Sequence, residues 1–275
     1  MWVTVRPDTV TCTLRVEEVH SSTRAVRGIR VSGGSRHLIP GAYMPTVRTL
    51  RSLLGVCVLA VGLALTPAPA HAQIPTSVLC SESALVNAIT TANAKGGDTL
   101  ALFPFCTYKI TSAHYWGARG PVGLPAITTP IKIIGISNVI ERDPGAPQFR
   151  VLQVEGSANV PGTRGQLTAQ GITVRGGSAV SPYPGGGISN LGGTVSLSLS
   201  DVSGNTAVAG GGLYNDNGVM VLSDTHVHHN SVPNTNTGGG IYLNSGSVLL
   251  TDYLTHVRDN TPDNCAPLGS VGGCV

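Results

Sequence analysis

Residues 185–205 read GGGISNLGGTVSLSLSDVSGN, residues 210–230 read GGGLYNDNGVMVLSDTHVHHN, and residues 238–260 read GGGIYLNSGSVLLTDYLTHVRDN. Each copy opens on three glycines, at 185, 210 and 238, and closes on an asparagine, Asn205, Asn230 or Asn260. The glycines recur 25 and then 28 residues apart, a period that suits a solenoid with one repeat per turn. Between them lie an aliphatic residue (Ile188, Leu213, Ile241), a glycine-bearing turn and an alternating run. Val195, Leu197 and Leu199 alternate with Ser196, Ser198 and Ser200, which predicts a strand with all three aliphatics on one buried face. A helix is excluded, because Gly and β-branched residues dominate and no 3.6-residue stripe appears.

The turn glycines set the register. Val174 follows Gly165 by nine residues, as Val202 follows Gly193 and Val227 follows Gly218. Val257 follows Gly246 by eleven, so the last copy carries a two-residue insertion. On this alignment Asn205, Asn230 and Asn260 stack at one corner, where amides can bond to each other and to the bending backbone. Asn190 is expected at a turn outside that ladder. The pattern over residues 165–264 resembles the secreted bacterial right-handed parallel β-helix family with polymorphic-outer-membrane-protein-type repeats, on the pectin-lyase-like fold. The resemblance implies an all-β, right-handed parallel β-helix and an exported or surface-associated protein.

The rest of the chain is read around that solenoid. Ser81–Ala94, SESALVNAITTANA, places Leu85, Ala88, Ile89 and Ala92 on one face, with Ser81 as N-cap and Gly96-Gly97 after the end. A capping helix over 81–95 is expected to cover the open N-terminal end of the solenoid. From Met44 a basic MPTVRTLR segment leads to an apolar run, Leu53–Leu65, and to Ala70-His71-Ala72. That order predicts a signal peptide over 44–72 with Gln73 as the mature start; 13 apolar residues are too few to span a membrane. Residues 1–43 lack any sustained period and are read as preceding the true start at Met44, or as a long n-region. The domain expected is then a single β-helix over 73–275.

Four cysteines remain in that domain. They allow three pairings, and Cys80–Cys106 with Cys265–Cys274 ties one end of the solenoid each. Residues 1–72 hold eight Lys or Arg and three Asp or Glu, whereas 73–275 hold nine and eleven. The basic surplus therefore lies in the front segment, and nucleic acid is not an expected partner.

Outward positions beside the buried valines carry the candidate chemistry. Asp201, His226 and His256 fall on one column and could hold a divalent metal as cofactor. Ser203, His228 and Arg258 fall on the next, so Asp201, His226, His228 and Arg258 are the catalytic candidates. A plain solvated face is the simpler reading of both columns. The NTD, DD, GHG and RIK signatures of the β-helix pectin hydrolases are missing. Trp116, in the loop HYWGARGPVGLP, could stack on a sugar ring or cover a core edge. The expected function is a secreted or cell-surface role, non-enzymatic adhesion or glycan binding, with an extracellular glycan or surface component as partner. The alternative is a polysaccharide lyase or glycoside hydrolase.

Overall fold

The computed structural model describes residues 5–6, 9–10, 74–179 and 181–274. The chain divides into a unit of residues 1–68 and a unit of residues 69–275. In the first, β1 (Val5–Arg6) and β2 (Thr9–Val10) pair antiparallel. The expected signal peptide at 44–72 lies outside the described residues.

The second unit runs β3 (Thr76–Val78), α1 (Glu82–Lys95), β4 (Asp98–Leu102), β5 (Thr107–Ile110), β6 (Tyr115–Gly117) and β7 (Gly120–Val122). It continues through β8 (Pro130–Arg142), β9 (Leu152–Glu155), β10 (Gln166–Arg175), β11 (Ile188–Leu191), β12 (Thr194–Ser203) and β13 (Leu213–Asp216). It ends with β14 (Gly218–His228), β15 (Ile241–Leu243), β16 (Gly246–Leu250), β17 (His256–Arg258) and β18 (Cys265–Ala266).

One side stacks β16-β14-β12-β10-β8-β4-β3, with β5 beside β8 and β17 beside β14; every one of these pairs is parallel. A second side stacks β18-β15-β13-β11-β9, again parallel. A third is marked by single parallel bridges linking Ser178, Thr206, Ser231 and Thr261 in turn. Each coil thus pairs only with the coil before and the coil after, and the chain is a parallel β-helix of about seven turns. The valine register holds through the insertion: Val174, Val202, Val227 and Val257 are successive partners. Leu167, Val195, Met220 and Val248 form a second column, and Leu152, Ile188, Leu213 and Ile241 a third. These columns are the core.

The long strands bend, and this corrects the alternation expected of β12. Ser137, Gly171, Leu199 and Asp224 each take positive φ within their strand. At Leu199 (φ 49°) the phase of the alternation shifts. Val195 and Leu197 point inward, Leu199 is 57% exposed, and Ser200 and Val202 point inward after it. Ser200 and its partner Thr225 fill the inside of the bend and satisfy themselves on the carbonyls of Ser198 and Ser223, at 2.7 and 2.9 Å.

At the next corner the glycine triplets meet the asparagines. Asn205 Nδ2 donates to Asn230 Oδ1 at 2.9 Å, and Asn230 Nδ2 to Asn260 Oδ1 at 3.0 Å. The same oxygens accept from the backbone N–H groups of Asn205 and Asn230, both at 3.0 Å. The triplets lie against this ladder. A Cβ on Gly212 would meet the Gly240 carbonyl at 2.8 Å and the Asn230 amide at 2.9 Å; one on Gly211 would meet the Gly239 carbonyl at 2.5 Å. Only glycine lets the backbones of successive coils approach that closely.

Asn190 lies outside that ladder, as expected, beside the turn at Gly193. It is fully buried, donates to Asn215 Oδ1 at 2.8 Å and accepts from Gly193 N at 3.1 Å. Asn190 and Asn215 therefore form a second ladder.

Both ends are tied. In α1, Ser81 Oγ accepts from Ala84 N at 3.2 Å, Gly96 caps the C-terminus in the left-handed region, and Leu85, Ile89 and Ala92 are buried. Glu82 accepts from Thr111 N and Oγ1 and meets His114 Nε2 at 2.8 Å. Burial opposes its charge, but these bonds outweigh it and hold the carboxyl below its usual range. Disulfides join Cys80 to Cys106 and Cys265 to Cys274, the pairing expected from the sequence.

Candidate functional site

Two surfaces carry polar clusters. The first is the outward face of β12, β14 and β17. Asp201, His226 and His256 are successive register partners, as are Ser203, His228 and Arg258. The His226 and His256 rings stack, with centroids 5.5 Å apart. The Asp201 carboxylate is engaged by the next column: it lies 2.6 Å from His228 Nε2 and accepts from Ser203 Oγ at 2.5 Å. His228 Nδ1 in turn meets His229 Nδ1 at 2.7 Å. Arg258 pairs with its neighbour Asp259 at 2.7 Å and is mostly exposed.

The column Asp201, His226 and His256 is therefore aligned without converging. Among the described residues no group of three His, Cys, Asp or Glu side chains is placed to hold a metal ion. Nor does Asp201, His228 and Ser203 form a nucleophile triad. In such a triad the histidine stands between hydroxyl and carboxylate so that it can take the hydroxyl proton. Here the carboxylate stands in the middle and holds both others. Arg258, engaged with Asp259, does not complete a site with them.

The second surface is built on the loop that carries Trp116. The segment HYWGARGP folds into a hairpin, β6 against β7, with Tyr115 opposite Val122. It covers the outward positions of β9, β11 and β13. Gln153, Glu155, Ser189, Leu191, Tyr214 and Asp216 are buried, although each lies on the outer face of its strand; Asn159 also bonds to Asp216, and Gly185 lies against Ser189. Arg119, from the hairpin, donates to Asp216 Oδ2 at 2.6 Å and to Tyr214 OH at 3.1 Å. Its guanidinium lies 5.7 Å from the Tyr214 ring centre, and that ring stacks on Tyr242 at 5.9 Å. Tyr115 OH and Gln153 Nε2 both donate to Glu155 Oε1, at 2.8 and 2.7 Å.

These side chains leave a cleft of about 510 Å³ lined by Tyr115, Arg119, Gln153, Glu155 and Asn159. Burial, and then the hydrogen bond and charge of Glu155, push the Tyr115 phenol up to about 12, so it is a neutral donor at neutral pH. Asp216 is held below its usual range: burial opposes its charge, but hydrogen bonds from Asn244 and Ser245 and the charge of Arg119 outweigh it. The cleft thus offers a hydroxyl, two amides, the Glu155 carboxylate and the Arg119 guanidinium beside apolar Ala118, Val160, Pro161 and Leu191. Trp116, next to Tyr115 on the hairpin, is 74% exposed rather than packed on a core edge. Arg119 and Trp116 were visible in the sequence as members of an unusual loop. Their partners were not, because Tyr214, Asp216 and Glu155 sit in strands of four residues whose outer positions show no pattern. Among the described residues no helix is long and apolar enough to cross a membrane. No family model, no curated protein and no solved structure matches this chain.

Proposed function

We propose that this chain is an exported β-helix protein that binds a glycan without cleaving it. One observation carries the reading: the hairpin that exposes the Trp116 indole also sends Tyr115 and Arg119 into a cleft where hydroxyl, amide, carboxylate and guanidinium groups lie beside apolar Val160, Pro161 and Leu191. A sugar ring presents an apolar face to stack on an aromatic ring and hydroxyls that both donate and accept. Tyr115, Gln153, Glu155, Asn159 and Arg119 match that second requirement in a recess fixed by the solenoid beneath it. Binding sites of this kind need few groups if the support is rigid. The two disulfides fit an oxidising compartment, which supports export. The arrangement of Asp201, His228 and Ser203 speaks against nucleophilic cleavage on the other face.

Affinity electrophoresis through gels containing single polysaccharides tests the reading, with sizing of each polymer after incubation. The protein is expected to be retarded by at least one polymer, the polymer to keep its length, and Trp116→Ala to migrate as in an empty gel. Shortening of the polymer would replace this reading with a depolymerising enzyme. Equal retardation of Trp116→Ala would move the binding site elsewhere.

A further inference from the structure

Directly behind Arg119 lies a second arginine that the cleft does not explain. Arg150 is 0% exposed. Its Nη2 donates to the Arg119 carbonyl oxygen, while Nε and Nη1 have no hydrogen-bond partner among the described residues. No carboxylate among the described residues forms an ion pair with it. The acids of the covered face are already engaged, Asp216 by Arg119 and Glu155 by Tyr115 and Gln153. Two more atoms of the same covered face are buried and unpartnered: Ser189 Oγ and Gln153 Oε1, whose residues are register partners on adjacent coils.

Water could satisfy the polar atoms, but it supplies no charge, and a buried cation without a counter-charge is strongly unfavourable. Burial first, and then the nearby charge of Arg119, pull the Arg150 guanidinium down to about 10, which leaves it charged at neutral pH. Two arginines therefore lie close together, and only Arg119 has a carboxylate partner, Asp216. The missing component is one negative charge with oxygen acceptors for guanidinium N–H groups.

We propose that Arg150, with Arg119 and Ser189, forms a closed site for an oxyanion, a carboxylate or sulfate group, against the β6–β7 hairpin. The anion accepts from Arg150, whose planar donors suit such groups, and from the Ser189 hydroxyl. It also offsets the repulsion between the two arginines. The proposal rests on the glycan reading only for the origin of the anion, which is either an acidic substituent of the glycan or a free ion.

Calorimetric titration of the full chain decides it, with sodium sulfate, sodium acetate, glucose 6-sulfate and glucose as probes at constant ionic strength in sodium chloride. Sulfate or acetate is expected to bind saturably at one site. Arg150→Met should weaken that binding about 100-fold, and Arg119→Gln about 10-fold. Should Arg150→Met not fold, the Arg150 Nε–H resonance of the wild type gives a second reading; it should shift saturably with sulfate. Glucose 6-sulfate binding more tightly than sulfate assigns the anion to a glycan, and equal affinity assigns a free ion; both uphold the site. A weak response matching that to chloride, an unshifted Nε–H, or wild-type affinity in Arg150→Met overturns it. Binding of neutral glycan without any anion binding would sink this inference and leave the proposed function standing; anion binding with no retained polysaccharide would do the reverse.

Discussion

Asn230 serves three coils at once. Its Oδ1 accepts from Asn205, its Nδ2 donates to Asn260 and to the Val202 carbonyl at 2.8 Å, and its own N–H donates to Asn260. Asn230→Ala removes these bonds and strands buried groups on both neighbours, so a loss of about 3 kcal/mol is expected. Asn190→Ala breaks the second ladder and should cost about 2 kcal/mol, whereas Asn87→Ala, exposed on α1, should be neutral within about 0.5 kcal/mol. Thermal melts of the three variants check this, and equal melting temperatures for all three would contradict it. The first ladder was legible because its asparagine closes every copy. Asn190 and Asn215 also recur, two residues after the first aliphatic of their copies, but Leu243 takes that place in the third and hides the pattern. Leu199 departs from the buried face that the alternation predicts for another reason. Period-2 alternation assumes uninterrupted strand geometry, and a single positive φ reverses the faces that follow it.

At the scale of elements, the glycine triplet and the inserted turn make separable predictions. Gly211→Ala drives a Cβ into the Gly239 and Ser231 carbonyls, at 2.5 and 2.7 Å, so neighbouring coils must part; a loss of about 3 kcal/mol is expected. Gly204→Ala has nothing within 4 Å of the added Cβ and meets only the strain of φ 63°, about 1 kcal/mol. Melting curves in which both variants lose equally would show that close approach is not the role of the triplet. The two-residue insertion forms the turn at 251–255 around Asp252. Its carboxylate accepts from Ser223 Oγ at 2.6 Å, Asp224 N at 2.9 Å, Leu254 N at 3.1 Å and Thr255 Oγ1 at 2.9 Å. The Ser223 bond leads these in pulling the carboxyl from its ordinary 3.8 down to about 2, against partial desolvation. A depressed folded pKa gives stability that is present above the ordinary value and lost as pH falls towards the folded one. The melting temperature should therefore drop between about pH 4 and pH 2, and Asp252→Asn should flatten that part of the curve. An unchanged slope in the variant would remove Asp252 from this role. The insertion itself was legible from the eleven-residue spacing. The hairpin over β9, β11 and β13 was not, because contacts between a loop and a face several coils away leave no local periodicity.

For the whole molecule, stability passes from coil to coil, so the ends matter more than in a globular core. Cys80–Cys106 spans 26 residues and secures the capped end, and its loss should destabilise by about 3 kcal/mol. Cys80→Ser is expected to expose α1 to rapid hydrogen exchange before the middle coils open; simultaneous exchange throughout would mean that the cap is not a separate unit. The architecture was legible because every repeat states the same register, and seven rungs follow from one pattern carried backwards into less regular coils. Function was less so, since the faces of a solenoid are chemically independent of the core that builds them. The claim beneath all of this is the register itself, in which Ser196 of one coil lies opposite Val221 of the next. Ser196→Cys and Val221→Cys, spin-labelled together in a background with Cys12 and Cys57 replaced by Ser, place two labels on parallel strands about 4.8 Å apart. Continuous-wave electron paramagnetic resonance should show strong dipolar broadening in the doubly labelled protein; a spectrum equal to the sum of the two single-label spectra would contradict the stacked register.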